Sequence, residues 1–319
     1  MSKKVIIPFI VLAVVVAAIS LHIIGKTYYE LGFVLTKSTP SATNPPVMNR
    51  TPKNKNTPKK TPSPPLDATP KPTETVPNTT TVPPFSEIDL ALANSLSTRS
   101  QHGATSNEQR NLIEKYGGYY KKDQGLKRIY LAYNLGTEYG HTHALLDKLK
   151  EKNVKATFFV LGAYVKEPNR SILERILEEG HVLGSHGYSH ANQTNTNEWT
   201  VEKLVKDFEN MDRRVKDLLG EDVNIYYYRP PFGYYNERML YIARQRGMTP
   251  VFWSFSYADW GTEDTEDINE IYELYMKNLQ DGMITQFHIS NTDNIKVLDK
   301  FIDKAREMGY EFYSLDERR

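Results

Sequence analysis

His186 and His190 stand in the short polar run Gly184-Ser185-His186-Gly187-Tyr188-Ser189-His190. Two imidazoles separated by three residues can chelate zinc or a similar divalent ion, but a tight site also takes a third protein ligand, commonly a carboxylate. Arg229 precedes Pro230 and Pro231, which bias it to extended backbone and suit it to gripping a carboxylate. Asp259-Trp260 offers a carboxylate that could orient His288, as an imidazole working in acid–base chemistry often needs. Asn134 ends an apolar run, with Leu135, Glu138, His141 and His143 just beyond it. Taken singly, each has an ordinary structural explanation: an unliganded loop histidine, an internal salt bridge, a packed imidazole. Their positions along the chain give them a joint meaning.

That meaning comes from the elements around them. Residues 128–134 (RIYLAYN) are rich in branched and aromatic side chains and predict a strand. An amphipathic helix over 144–152, a buried strand over 156–161, a helix over 171–179 and a short strand over 181–183 follow. The helix predicted over 201–219 carries Leu204, Phe208, Met211 and Val215 on one stripe. Strands at 225–228, 251–255, 283–287 and 311–313 alternate with helices at 237–246, 268–279 and 295–308. Helical lead-in segments are expected at 88–96 and 109–116. About seven strand–helix pairs predict a parallel α/β barrel or a doubly wound sheet, with functional groups just past the C-terminal strand ends. Asn134, His186, Arg229, Asp259 and His288 all occupy such places.

In this order the residues resemble the polysaccharide deacetylase family (NodB-homology, carbohydrate esterase family 4), closest to its branch of spore-cortex muramic-acid de-N-acetylases. The resemblance runs over residues 112–316. The family's H-[ST]-x-x-H motif is matched by His186-Gly187-Tyr188-Ser189-His190, with Gly187 in place of the hydroxyl residue. R-x-P-[FY] is intact as Arg229-Pro230-Pro231-Phe232, Asp-Trp is present as Asp259-Trp260, and Leu-x-His reads Gln286-Phe287-His288. The resemblance implies a distorted parallel (β/α) barrel of about seven strands that removes N-acetyl groups from amino sugars of cell-wall peptidoglycan by metal-dependent hydrolysis. It also implies zinc or another divalent metal on His186 and His190, and His288 as the proton donor to the leaving amine. Arg229 and Asp259 would be positioning groups, and Tyr188, Pro231, Phe232 and Trp260 would line a sugar groove.

The first motif departs from the family. The family reads T-F-D-D/N-G where this chain has Ala132-Tyr133-Asn134-Leu135-Gly136. The first Asp is the family's general base and the second a metal ligand. An amide cannot take that proton near neutral pH, and Leu135 has no lone pair to offer. Glu138 is the candidate for compensation. Two functions stay open: a peptidoglycan N-deacetylase using a substituted base or ligand, or a deacetylase fold without standard activity that binds wall glycan or a protein partner. In the second case no metal is required.

The front of the chain belongs to neither. Residues 5–25 form an apolar run broken only by Ser20 and His22, with Lys3 and Lys4 before it and Lys26 after it. At roughly 1.5 Å per residue such a helix reaches about 30 Å, the thickness of a bilayer's apolar core. A single-pass anchor is expected, with residues 1–4 cytoplasmic and the body outside; a cleaved signal peptide is the alternative. Residues 38–84 hold 13 of the chain's 18 prolines and 11 threonines, the composition of a disordered tether. A helical lead-in over 85–125 and the deacetylase-like domain over 126–319 complete the expected organisation. The net charge of +1 conceals +3 on residues 1–37 and +4 on 38–84, leaving −6 on the body. An acidic body is a poor partner for nucleic acid. The absence of cysteine excludes a disulfide framework, a thiol nucleophile and Cys-ligated zinc.

Overall fold

A computed structural model describes residues 106–265 and 267–316 and the backbone of the pair Thr98–Arg99, all within the unit Glu74–Arg319. The anchor expected over 5–25, the linker over 38–84 and the helix over 88–96 lie outside the described residues. Among the described residues no helix is long and apolar enough to cross a membrane.

The elements in chain order are β1 (Thr98–Arg99), α1 (Asn107–Lys115), β2 (Arg128–Tyr130), β3 (Ala132–Leu135), α2 (Thr142–Glu151), β4 (Thr157–Val160), α3 (Arg170–Glu178) and β5 (Val182–Ser185). There follow α4 (Val201–Leu219), β6 (Tyr227–Tyr228), β7 (Tyr234–Tyr235), α5 (Glu237–Gln245), β8 (Thr249–Pro250) and β9 (Phe255–Ser256). The chain ends with α6 (Ile268–Asn278), β10 (Met283–His288), α7 (Asp293–Lys296), α8 (Leu298–Glu307) and β11 (Glu311–Phe312). The large sheet runs β11-β2-β10-β3-β4-β5-β6-β8, with β9 alongside β10, and every pair is parallel. The stretch 249–256 closes the wall, because Thr249–Pro250 pairs with β6 and Phe255–Ser256 with β10. β1 and β7 form a separate antiparallel pair.

The parallel α/β architecture expected from the sequence is present. Three elements differ from expectation. The strand predicted over 128–134 is divided at Leu131 into β2 and β3, which pair with different parts of β10. The single strand predicted over 251–255 is two short strands on either side of Val251–Ser254, since this stretch passes from one neighbour to another and Pro250 offers no N–H to continue a ladder. The helix predicted over 295–308 is divided at Val297 into α7 and α8.

Local chemistry explains the elements that carry the site. All residues of β3, β4 and β5 are buried, as parallel strands covered on both faces require. Thr200 caps α4, its hydroxyl accepting from Lys203 N–H at 3.3 Å. The helix then buries Leu204, Phe208, Met211, Val215 and Leu218 against the core.

His181, at the head of β5, accepts the Ala156 N–H at 3.1 Å through Nδ1. Burial and then the Lys155 charge push its pKa down to about 4. The unfolded chain therefore takes up this proton first as pH falls. The neutral imidazole contributes stability that is full above about pH 6.5 and is lost towards pH 4, a drop on the order of 3 kcal/mol. Urea unfolding at pH 7 and pH 4 checks it: the drop should be smaller in His181→Gln, which keeps an acceptor but does not titrate.

Candidate active site

The strands bring Asn134, His186, Arg229 and His288 to one end of the barrel. β3 and β10 lie in register with Asn134 opposite His288. Arg229 follows β6 and is wholly buried, its guanidinium 4.1 Å from the Phe159 ring centre. Its Nη1 donates to Asn134 Oδ1 at 3.2 Å. Nε reaches the Val251 carbonyl at 3.3 Å, and Nη2 reaches those of Phe252 at 3.3 Å and Thr285 at 3.1 Å. The expectation that Arg229 grips a carboxylate is corrected: it holds three carbonyls and an amide, because Asn stands at position 134. Desolvation alone pulls its pKa down to about 9, so the group remains a buried cation at neutral pH.

His186 is buried and its Nδ1 lies 2.8 Å from the Arg229 carbonyl. A carbonyl only accepts, so Nδ1 carries the proton and Nε2 keeps its lone pair. Burial first, then the charge of His190, drive the His186 pKa well below the ordinary histidine value. His190 is lowered too, by burial and then by His288. The two rings lie 5.3 Å apart, and Phe232 packs on His190 at 4.4 Å. His190 and Phe232 both adopt left-handed backbone, at φ 53° and 58°, which non-glycine residues take up at a cost of about 1–3 kcal/mol.

Gly187 accounts for one departure from the family pattern. Its φ is +84°, and a β-carbon there would lie 3.0 Å from Pro231 Cγ. Gly187→Ser, which installs the family's hydroxyl, should therefore lower stability by about 1–2 kcal/mol in urea unfolding.

The Asp259–His288 pair matches the sequence expectation. Asp259 is buried; its Oδ1 meets His288 Nδ1 at 2.7 Å and its Oδ2 accepts the His288 backbone N–H at 2.6 Å. The carboxylate thus fixes both the ring and the strand end that carries it. The loop bearing Asp259 is fastened to the segment after β10. Ser290 Oγ donates to the Asp259 carbonyl at 3.1 Å, and Asn291 Nδ2 to the Gly261 carbonyl at 2.9 Å. Thr292 N–H donates to Asp264 at 2.6 Å, and Thr265 N–H to Asp293 at 3.0 Å.

The other expected residues are placed unevenly. Trp260 is 66% exposed with its ring perpendicular to that of His288, and Phe232 is 49% exposed, so both can meet a sugar face. Pro231 is buried beneath Gly187. Tyr188 is turned to α4 instead, its hydroxyl accepting from Arg214 Nη2 at 2.8 Å. Glu138 is occupied at the start of α2: Gly140 N–H donates at 2.7 Å and Thr142 Oγ1 at 2.5 Å, with Thr142 N–H and the Tyr164 hydroxyl as further donors. Burial raises its pKa, but these bonds outweigh that and hold it below the usual carboxylate range.

Asp207 escaped the sequence reading. From α4 its two oxygens accept the N–H groups of Tyr188 at 3.0 Å and Ser189 at 3.2 Å, which fastens the loop between the two histidines. The available signal was an acidic residue three positions after Leu204 and four before Met211, inside an apolar stripe.

The donor set does not fit the metal that the resemblance implies. His186 and His190 supply imidazoles, but position 134 is an amide turned to Arg229 and Leu135 is 2% exposed within the main core. Among the described residues no group of three or more His, Asp or Glu could hold an ion.

A model of the polysaccharide deacetylase family matches residues 121–251. The chain is 32% identical over 207 residues to the peptidoglycan-N-acetylmuramic acid deacetylase PdaA of Bacillus subtilis, across 65% of this chain and 77% of PdaA. The solved structure of a family 4 carbohydrate esterase from Bacillus anthracis is 35% identical with a TM-score of 0.58, covering 70% of this chain and 95% of that one. The PdaA structure, at 31% identity, gives a TM-score of 0.62 over 69% of this chain and 93% of its own. With the strand-end constellation of His186, His190, Arg229, Asp259 and His288 in place, the chain belongs to the polysaccharide deacetylase family, carbohydrate esterase family 4, close to the PdaA-like deacetylases.

Proposed function

We propose that this chain binds cell-wall glycan and no longer performs the family's standard hydrolysis. Asn134 carries the reading: where the family deprotonates water with a carboxylate, this chain presents an amide whose oxygen accepts from a buried arginine. In the family's reaction a divalent metal polarises the acetamide carbonyl and lowers the pKa of bound water. With two imidazoles and no third ligand among the described residues, that chemistry is not supported here, and Glu138 is held by four donors at a helix start. The His288–Asp259 pair and the exposed rings of Phe232 and Trp260 are retained, and they suit recognition of an amino sugar. PdaA, named for peptidoglycan N-acetylmuramic acid, makes peptidoglycan the ligand to test. The apolar run at 5–25 and the Pro/Thr-rich stretch at 38–84 would hold the domain outside the membrane within reach of the wall.

The test is acetate release from peptidoglycan with added zinc, for the wild type, Asn134→Asp and Asn134→Asp/Leu135→Asp, beside sedimentation with insoluble wall material. The expected result is wild-type binding without acetate release. Sustained wild-type turnover overturns the loss of activity, and failure to sediment overturns glycan binding.

A further inference from the structure

Asn294, in α7, is completely buried and every polar position of its side chain is used. Oδ1 accepts from the Tyr257 hydroxyl at 2.9 Å and from the Tyr275 hydroxyl. Nδ2 donates to Asp259 Oδ2 at 2.8 Å and to the His288 carbonyl at 2.8 Å. Only one amide orientation is possible. Turned over, its oxygen would face a carboxylate and a carbonyl, neither of which can donate. The two tyrosines come from different places, one just past β9 and the other in α6, so three parts of the barrel meet on this one amide.

We infer that Asn294 is the positioning residue for the Asp259–His288 pair. Asp259 has two oxygens and three donors to serve: the His288 ring, the His288 backbone and Asn294. The Asn294 donor holds Oδ2 in place, which leaves Oδ1 aimed at His288 Nδ1. A second bond from the same Nδ2 fixes the His288 carbonyl, so carboxylate, backbone and ring move as one body. The effect is a single imidazole tautomer, with the proton on Nδ1 and the Nε2 lone pair presented to the ligand. Groups that orient metal-bound imidazoles commonly change affinity or activity by about 10–100-fold when lost, and an effect of the same order is expected for one that orients His288. This role holds whether or not the chain hydrolyses anything, since it concerns the state of the ring.

Nitrogen NMR of the full chain labelled at its eight histidines reads that state directly, with the His288 signal assigned by its disappearance in His288→Gln. In the wild type at neutral pH, His288 should give one sharp set of ring signals with Nδ1 protonated. Asn294→Ala should broaden or split it between tautomers, and Asn294→Asp, whose ionised side chain cannot donate to Asp259, should do the same. Tyr257→Phe removes one of the two acceptor-side bonds and keeps the core filled; it should give an intermediate spectrum, so the role stays testable if the Asn294 variants do not fold. In an Asn134→Asp background that releases acetate, Asn294→Ala should cut kcat at least tenfold with KM nearly unchanged. Unaltered His288 signals in folded Asn294 variants, or in Tyr257→Phe if the Asn294 variants do not fold, would overturn the assignment, while loss of glycan binding alone would count only against the proposed function.

Discussion

Asn134→Asp should make the folded protein more stable by about 2 kcal/mol at pH 7, as well as restoring a base. Arg229 is buried without exposure, and its partners are three carbonyls and one amide. Breaking a buried ion pair costs about 3–5 kcal/mol because the surviving charge is left uncompensated, and this chain already stands in that condition. An aspartate at 134 would supply the missing charge at the atom Arg229 already contacts, less the desolvation of the new carboxylate. The pH dependence gives the signature. Arg229 would depress the pKa of the new carboxyl, so the gain is full above the ordinary aspartate value near 3.9 and disappears as pH falls through the folded value. Urea unfolding of both proteins from pH 7 to pH 3 should show the curves converging in acid; a variant less stable than wild type at pH 7 would refute the account of Arg229.

The neighbouring substitution should act in the opposite direction. Leu135→Asp places a carboxylate in the main core at a position only 2% exposed. Truncating a buried leucine costs about 2–5 kcal/mol, and burying a carboxylate without a partner adds to that. A loss of about 4 kcal/mol or more is expected, against a total of about 5–15 kcal/mol for a typical domain. Thermal unfolding followed by circular dichroism checks it. The two positions adjoin, so their effects in the double variant need not add. Asn134→Asp alone is therefore the cleaner test of the base, and a double variant that melts early would say nothing against it.

Much of this was legible in the sequence because it depends on local pattern. Strand-and-helix alternation led to a parallel α/β body, and the strand ends led to Asn134, His186, Arg229, Asp259 and His288. The orientation of Asp259 towards His288 followed from residue types alone. The partner of Arg229 did not, because a guanidinium's acceptors are set by what the other strands bring across the barrel. The family resemblance placed Tyr188 in a sugar groove, yet Arg214 on α4 draws it away. Asp207 left a trace as an acidic residue in an apolar stripe, while Asn294 left none, since its four bonds join segments that meet only after folding.

The fastening between the loop carrying Trp260 and the segment after β10 has a kinetic consequence. Bonds from Ser290, Asn291 and Thr292, and from Thr265 to Asp293, leave this rim little to rearrange if a glycan binds as proposed. A loop backbone already held in place forfeits little conformational freedom on binding. Capture of a sugar would then proceed as a near-rigid docking event, with differences in affinity between glycans appearing chiefly in how long each one stays.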